Sequence, residues 1–101
     1  MFCHFHTLIF SSLKRRPAAV IATLRGNNVV LAQITSVERN DEDAISLSRK
    51  DFASGSLKTD SFIMASLIFT ADISEIEYKI GKIKTEKIKE IQNKLIEIFS
   101  R

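Results

Sequence analysis

Residues 16–36 have the sequence RPAAVIATLRGNNVVLAQITS, and this stretch decides the fold. Its two flanks are rich in alanine, valine, isoleucine and leucine, and its centre holds Gly26, Asn27 and Asn28, which tolerate positive φ. The pattern predicts two antiparallel strands joined by a tight turn near Gly26. The continuous apolar run at 18–22 is typical of a strand that is buried on both faces.

The register of this hairpin carries a functional hint. With the turn near Gly26, paired residue numbers sum to about 51 to 53. Arg16 then lies opposite Thr35 or its next neighbours, so a guanidinium stands beside a hydroxyl at one edge of the β-structure, where the two could hold a phosphate. On residue types alone, the plainer interpretation is favoured: a surface arginine that lies near a surface threonine by chance.

Length and composition limit the class of protein. The chain has 101 residues, which predicts a single domain spanning 1–101, and its 45% hydrophobic and 27% charged content is ordinary for a soluble globular protein. The single cysteine, Cys3, cannot form an internal disulfide and fits a reducing cytosol. The net charge of +3 permits a polyanionic partner without requiring one. Residues 1–10 lack the features of a signal peptide, and no apolar run is long enough to predict a membrane span.

The remaining elements are predicted from local patterns. We expect a first strand in Met1–Phe10, a loop at 11–15, a charged loop at 37–43 and a strand at 44–48. A turn is predicted at Asp51–Ser56 and a long central strand at Phe62–Thr70. The segment Ile73–Tyr78 fits either a strand or a bend.

The C-terminal segment predicts a helix that begins near Thr85. Thr85 can cap it, and Glu86 suits the positive helix start. The spacing of the apolar residues predicts one buried face, formed by Ile88, Ile91, Leu95, Ile98 and Phe99. The opposite, solvated face carries Lys87, Glu90, Asn93, Lys94 and Glu97, with Glu90 and Lys94 placed to pair at i,i+4.

Several short segments resemble, in order, the PemK/MazF family of toxin-antitoxin ribonucleases. They are KRRPAAVI (14–21), GNN (26–28), LAQITS (31–36), DF (51–52) with GSL (55–57), DSFI (60–63) and KIGKI (79–83). The likeness runs from about Phe10 to the C-terminus. It implies a mainly β fold, a small SH3-like β-barrel with a C-terminal helix. The Gly-Asp opening of the family is absent, so the first strand of the barrel is expected to be incomplete.

The resemblance also implies an activity and its partners. Members are usually homodimers that cleave single-stranded RNA, such as mRNA, at chosen short sequences, without a metal or cofactor, and an antitoxin protein restrains them. We therefore expect a cytoplasmic endoribonuclease toxin with a cognate antitoxin. Two alternatives stay open. One is an inactive remnant that only binds an antitoxin, suggested by the unusual first strand; the other is a gyrase-directed toxin of the same fold.

The resemblance assigns the catalytic arginine of the family to Arg16 and its catalytic threonine to Thr35. The guanidinium would stabilise negative charge in the transition state, and the hydroxyl would position the 2′-hydroxyl or the phosphate. Further candidates for RNA binding are Lys14, Arg15, Arg25, Ser36 and Ser61. The cations among them also fit ordinary solvated charges, and Ser61 fits a plain turn residue.

Aromatic and histidine residues supply the remaining candidates. Phe62 and Tyr78 could stack on bases, although core packing is favoured for Phe62, which begins an apolar run. His4 and His6 would share one face of a strand. No third ligand is apparent near them, so no metal site is predicted.

Overall fold

The computed structural model describes residues 7–12, 15–37 and 40–101. In these residues the chain forms seven strands, two short 3₁₀ helices at Arg49–Asp51 and Ile73–Glu75, and one α-helix, α1, at Thr85–Phe99. The strands are β1 (Thr7–Ser11), β2 (Arg16–Thr23), β3 (Asn28–Thr35), β4 (Ala44–Leu47), β5 (Phe52–Gly55), β6 (Ser61–Asp72) and β7 (Ile76–Ile83).

Within the described residues the strands form one antiparallel sheet in the order β4-β6-β3-β2-β1-β7-β5. Only residues 48–51 separate the two end strands along the chain, so the sheet must curl. Leu47 of β4, Phe52 of β5 and Leu8 of β1 accordingly share one buried cluster. The mainly β fold with a C-terminal helix is confirmed, although no ladder joins β4 to β5 in the described part of the chain and the sheet is not closed by hydrogen bonds.

The β2–β3 hairpin has the predicted register. Ala18 pairs with Gln33, which gives a sum of 51. After an irregularity between Val20 and Ala22, Thr23 pairs with Val29, which gives 52. The turn near Gly26, whose φ is +74°, therefore sets which residues meet at the far end of the hairpin.

Strand β2 is buried on both faces, as its apolar run predicts. Ala19 and Ile21 belong to a core cluster that also contains Ile88 and Ile91 of α1. Ala18 and Val20 belong to a second cluster on the other face, together with residues of β1, β3, β6 and β7. The sheet thus has a core on each side, and only one of them is covered by the helix.

Two predictions about local structure need correction, and one open choice is resolved. Ser11 belongs to β1 and not to a loop, because it pairs with Arg16 of β2. Asp51–Ser56 is not a turn: a 3₁₀ helix ends at Asp51 and β5 comes next, held by pairing with β7. The open segment 73–78 contains a 3₁₀ helix and then the start of β7. The part of the predicted first strand at residues 1–6 lies outside the described residues.

The helix begins at Thr85 as predicted, but its N-cap is Lys84 and no side chain caps it. Ile88 and Ile91 are buried, and Leu95 and Ile98 are partly buried against the same core. Phe99 is 71% exposed and does not belong to the predicted apolar face. The expected pair of Glu90 with Lys94 is also wrong. Glu90 instead pairs with Lys87, and Lys94 pairs with Glu97, both at i,i+3.

Lys87 is the largest departure from the predicted helix faces. Its place in the helical pattern predicts a solvated side chain, but the residue is only 8% exposed. Its Nζ donates to the carbonyl oxygen of Ser46 at 2.8 Å and to Oε1 of Glu90 at 2.9 Å. Oδ2 of Asp51 lies 3.8 Å away and accepts the backbone N–H of Ser48 at 2.8 Å. Lys87 thus ties α1 to the segment that links the two end strands.

We expect Lys87→Ala to lower the free energy of unfolding by about 1–3 kcal/mol, because it removes a buried donor and takes a charge-assisted hydrogen bond from the carbonyl oxygen of Ser46. Lys89→Ala, an exposed lysine on the same helix, should change it by less than about 0.5 kcal/mol. Urea denaturation of the two variants measures the difference. Equal stability of the two would show that the buried amine contributes nothing.

Gly81 allows β7 to approach β5 closely at the Gly55–Gly81 pair. A Cβ on Gly81 would collide with the carbonyl oxygen of Ser54 and would lie 3.1 Å from Cα of Gly55. We expect Gly81→Ala to lower the free energy of unfolding by at least about 2 kcal/mol, because only backbone atoms could move away. Thermal or urea unfolding checks this.

Gly26→Asn is the control for Gly81→Ala. A Cβ at Gly26 would have no heavy atom within 4 Å, and asparagine tolerates its φ of +74°. The loss there should stay below about 1 kcal/mol. If both variants lost the same stability, close packing of β5 on β7 would not explain the need for Gly81.

Candidate active site

A cleft of about 340 Å³ opens where β2 begins and β3 ends. We call it the hairpin cleft. It is lined by Arg16, Pro17, Ile34, Thr35, Ser36, Val37 and Ser61. The hairpin register explains the position of the cleft, because continuing the sum of 51 from the Ala18–Gln33 pair sets Arg16 opposite Thr35. The structure therefore brings together the two residues predicted to be catalytic.

Arg16 supplies an accessible guanidinium. It is the first residue of β2, it pairs with Ser11 of β1, and its side chain is exposed. The ion pairs formed within the described residues use Lys87, Lys94 and Arg101 as their cations. Within that part of the chain, the charge of Arg16 is therefore not neutralised by a carboxylate and can meet an anion from solution.

Thr35 supplies an oriented hydroxyl. It ends β3 and is half-buried, and its neighbour across the ladder is Phe62 of β6. Its Oγ1 accepts a hydrogen bond from the backbone N–H of Val37 at 3.2 Å. This contact occupies one lone pair of the oxygen and leaves the hydroxyl proton for a ligand. The side chain is thus fixed by the turn that comes after the strand.

The two serines of the cleft differ in their exposure and in the hydrogen bonding of their hydroxyl groups. Ser36 is exposed. Ser61 is only 6% exposed, and its hydroxyl donates to the carbonyl oxygen of Thr59 at 2.9 Å. Ser61 therefore forms part of the wall of the cleft with its proton already used, while Ser36 lies at the solvent-exposed side.

The predicted basic residues are not all near the cleft. Arg15 is exposed beside Arg16 and has a φ of +51°, a left-handed conformation that non-glycine residues seldom adopt. Arg25 lies in the turn at the opposite end of the hairpin, and β2 alone, from Arg16 to Thr23, spans about 23 Å at the rise of a strand. Lys14 lies outside the described residues. The structure thus brings Arg15, but not Arg25, close to Arg16.

Three residues that line the cleft were not predicted as site residues: Pro17, Ile34 and Val37. Val37, whose N–H holds Thr35, comes two positions after a threonine, and this spacing is the signature of a local side-chain turn. Pro17 comes directly after Arg16 and pairs with Phe10 of β1. Of the two candidates for base stacking, Phe62 is half-buried in β6 and Tyr78 is exposed on β7.

The hairpin cleft suits binding and polarisation of a phosphate more than strong base catalysis. No carboxylate or imidazole lines it within the described residues. In that same part of the chain, no three acidic, histidine or cysteine side chains come together as a metal site would require. His4 and His6 lie outside it. A positive charge and a hydroxyl that line one cleft can together bind the oxygens of a phosphate.

The fold is similar to those of solved toxin structures. A Mycobacterium tuberculosis toxin, MazF-mt6, gives a TM-score of 0.79 at 15% identity, covering 93% of this chain and 96% of that one. A MazE-MazF structure from Deinococcus radiodurans gives 0.78 at 15% identity, covering 100% of both chains. An endoribonuclease in complex with its cognate antitoxin, from a mycobacterial species, gives 0.78 at 14% identity, covering 94% and 92%. At such identities the likeness establishes the fold class.

The sequence itself matches the family model of the PemK-like, MazF-like toxins of type II toxin-antitoxin systems over residues 10–99. The chain belongs to this family, as the ordered segments of its sequence indicated. No curated protein sequence gives a significant match. Among the described residues, no helix is both long enough and apolar enough to cross a membrane.

We expect Arg16→Ala and Thr35→Val to fold with free energies of unfolding within about 1 kcal/mol of the wild type, since one side chain is exposed and the other gives a single exposed hydrogen bond. Thermal unfolding monitored by circular dichroism tests this. A large drop in the midpoint for either variant would mean that the residue supports the fold as well as the site.

Proposed function

We propose that the protein is a sequence-selective, metal-independent endoribonuclease toxin that cleaves single-stranded RNA at the hairpin cleft. The observation that carries the proposal is the meeting of Arg16 and Thr35 in one accessible cleft. Membership of the MazF-like toxin family supports the activity class. A structural neighbour described as a mycobacterial endoribonuclease, with a TM-score of 0.77 at 15% identity, supports it further.

The proposed reaction uses the RNA's own nucleophile. The 2′-oxygen attacks the adjacent phosphorus, the bond from phosphorus to the 5′-oxygen breaks, and the products are a 2′,3′-cyclic phosphate and a 5′-hydroxyl. Negative charge grows on the phosphate oxygens as the new bond forms. Arg16 pairs with those oxygens through its planar guanidinium and lowers the energy of the transition state.

Thr35 positions the reacting groups. Its Oγ1 already accepts the Val37 N–H, so its proton is available to bond to a phosphate oxygen or to the 2′-hydroxyl. A threonine hydroxyl is a weak base, so the proton of the 2′-hydroxyl passes to water and a proton returns to the 5′-oxygen. Correct alignment for in-line attack is then the main contribution of Thr35.

The outer RNA contacts are assigned from the positions of the residues. Ser36 lines the cleft, is exposed and can donate to the RNA backbone. Arg15 stands beside Arg16 and adds electrostatic attraction, which makes binding depend on salt. Ser61 contributes to the shape of the wall. Lys14 is next to Arg15 in sequence and remains a candidate on that ground.

We further propose that a cognate antitoxin protein restrains this activity in the cytoplasm and that the toxin acts as a homodimer. The support is the family membership and the neighbouring structures described as MazE-MazF and as an endoribonuclease with its cognate antitoxin. Gel filtration with light scattering measures the oligomeric state directly.

The activity is tested with purified protein and a mixed RNA in the presence of a chelator. We expect wild-type cleavage to persist, and the cleavage rate to fall roughly 100-fold or more in Arg16→Ala and in Thr35→Val. Mapping of the RNA ends should show 5′-hydroxyl and cyclic phosphate termini at a restricted set of sequences.

Arg49→Ala is the matched control, because Arg49 is an exposed arginine in a 3₁₀ helix and does not line the hairpin cleft. It should cleave within a few-fold of the wild type. Full cleavage by Arg16→Ala would refute the assigned mechanism. A folded wild type that binds an antitoxin but cuts no RNA would instead favour an inactive binding module.

A further inference from the structure

A second cleft, of about 390 Å³, adjoins the hairpin cleft. We call it the aromatic groove. It is lined by Phe10, Pro17, Ser56, Leu57, Lys58, Tyr78, Lys79 and Ile80. Pro17 lines both clefts, so the two openings meet at the start of β2.

A row of cross-strand neighbours connects the two clefts. Pro17 of β2 pairs with Phe10 of β1, and Phe10 in turn pairs with Tyr78 of β7. Tyr78 is therefore two strand spacings from Pro17, about 10 Å. Arg16 adjoins Pro17 in the chain, and successive side chains of a strand alternate between its two faces, so an RNA strand that contacts both Arg16 and the aromatic ring passes around the start of β2.

The two rings form a parallel stack. Their centroids are 5.3 Å apart, and their planes differ by 1°. Phe10 is half-buried, whereas Tyr78 is 52% exposed, so Phe10 supports one side of Tyr78 and leaves the tyrosine accessible from solvent. An exposed ring that is held in place by a second ring is suited to stacking on a planar ligand.

The charge of the surface selects for an anionic ligand. Lys58 and Lys79 line the aromatic groove, and both are exposed. Neither forms an ion pair within the described residues. No carboxylate lines either cleft in that part of the chain. The positive charges of Arg16 in the hairpin cleft and of Lys58 and Lys79 in the aromatic groove are therefore not neutralised by a carboxylate of the clefts.

Strand β1 offers no free edge to a peptide, because it lies between β2 and β7. β7 pairs with β5 only at residues 81–83, so its outer side is unpaired only over the short stretch beside Tyr78 within the described residues. Backbone pairing with a protein segment would therefore be limited to that stretch. Stacking and charge are the interactions that the groove provides, and a single-stranded nucleic acid uses both.

We propose that the aromatic groove binds a nucleobase that flanks the scissile phosphodiester, with the base stacked on Tyr78. Lys58 and Lys79 then pair with the phosphates on that side of the strand. The position next to the cut rests on the proposed ribonuclease function; the stacking of a base on Tyr78 is tested separately from it. Because every base has a π face, this contact adds affinity with little choice of sequence.

The test measures binding of a fluorescent, mixed-sequence, single-stranded RNA whose 2′-hydroxyls are replaced by fluorine, so that it lacks the attacking group. By fluorescence anisotropy, Tyr78→Ala should weaken binding roughly 5- to 50-fold. Tyr78→Phe keeps the ring and should bind within about twofold of the wild type. Phe99→Ala removes an exposed aromatic residue at the end of α1 and should have no effect.

A 2-aminopurine base in the same RNA reports stacking directly, through quenching that should occur with the wild type and disappear with Tyr78→Ala. Wild-type affinity in Tyr78→Ala, or an equal loss in Tyr78→Phe, would overturn the proposal. Loss of antitoxin binding with unchanged RNA binding would overturn it in favour of a protein-binding groove.

Cleavage of unmodified RNA, measured in parallel, separates this proposal from the ribonuclease function. If the wild type cleaves RNA and Tyr78→Ala leaves binding unchanged, the groove assignment fails alone. If binding depends on Tyr78 but no cleavage occurs, the ribonuclease function fails and the assignment of the groove as a base-binding surface is supported.

Discussion

The antiparallel register of β2 against β3 is the constraint on which the functional features depend. It is set at the Gly26 turn, and it brings Arg16 and Thr35 to the same end of the hairpin, where both line one cleft, although their numbers differ by 19. A shift by one residue would turn every side chain of one strand to the opposite face. Because β2 is buried on both faces, such a shift would disrupt the packing on either side, and the two cores therefore protect the site geometry.

Stability and function occupy different ends of the sheet. The core holds α1 through Ile88 and Ile91, and the buried amine of Lys87 joins that helix to Ser46 of β4 and to Asp51 in the segment between the two end strands. The hairpin cleft is formed instead by strand ends and the turn after β3. Its guanidinium is exposed, and its threonine is held by one local hydrogen bond, so the site adds little to the stability of the body that supports it.

Features governed by short-range rules could be predicted from the sequence, whereas features that depend on distant packing could not. The juxtaposition of Arg16 and Thr35 required only one turn and the arithmetic of a hairpin. The segment 52–55 was missed as a strand because only its first residue is buried, and its pairing depends on the close approach of Gly81. The burial of Lys87 could not be inferred from a helical pattern, since the carbonyl that it binds belongs to Ser46, about 40 positions earlier.

The exposure of Arg16 also has an evolutionary consequence. Since its side chain lies on the surface and packs into neither core cluster, a single codon change there would remove the proposed chemistry and leave a folded body. Selection against the proposed toxic activity would therefore find an easy escape at this position. In lineages that have lost the antitoxin, we expect related chains that keep the buried residues of β2 and β3 but carry a neutral residue in place of Arg16, just before Pro17.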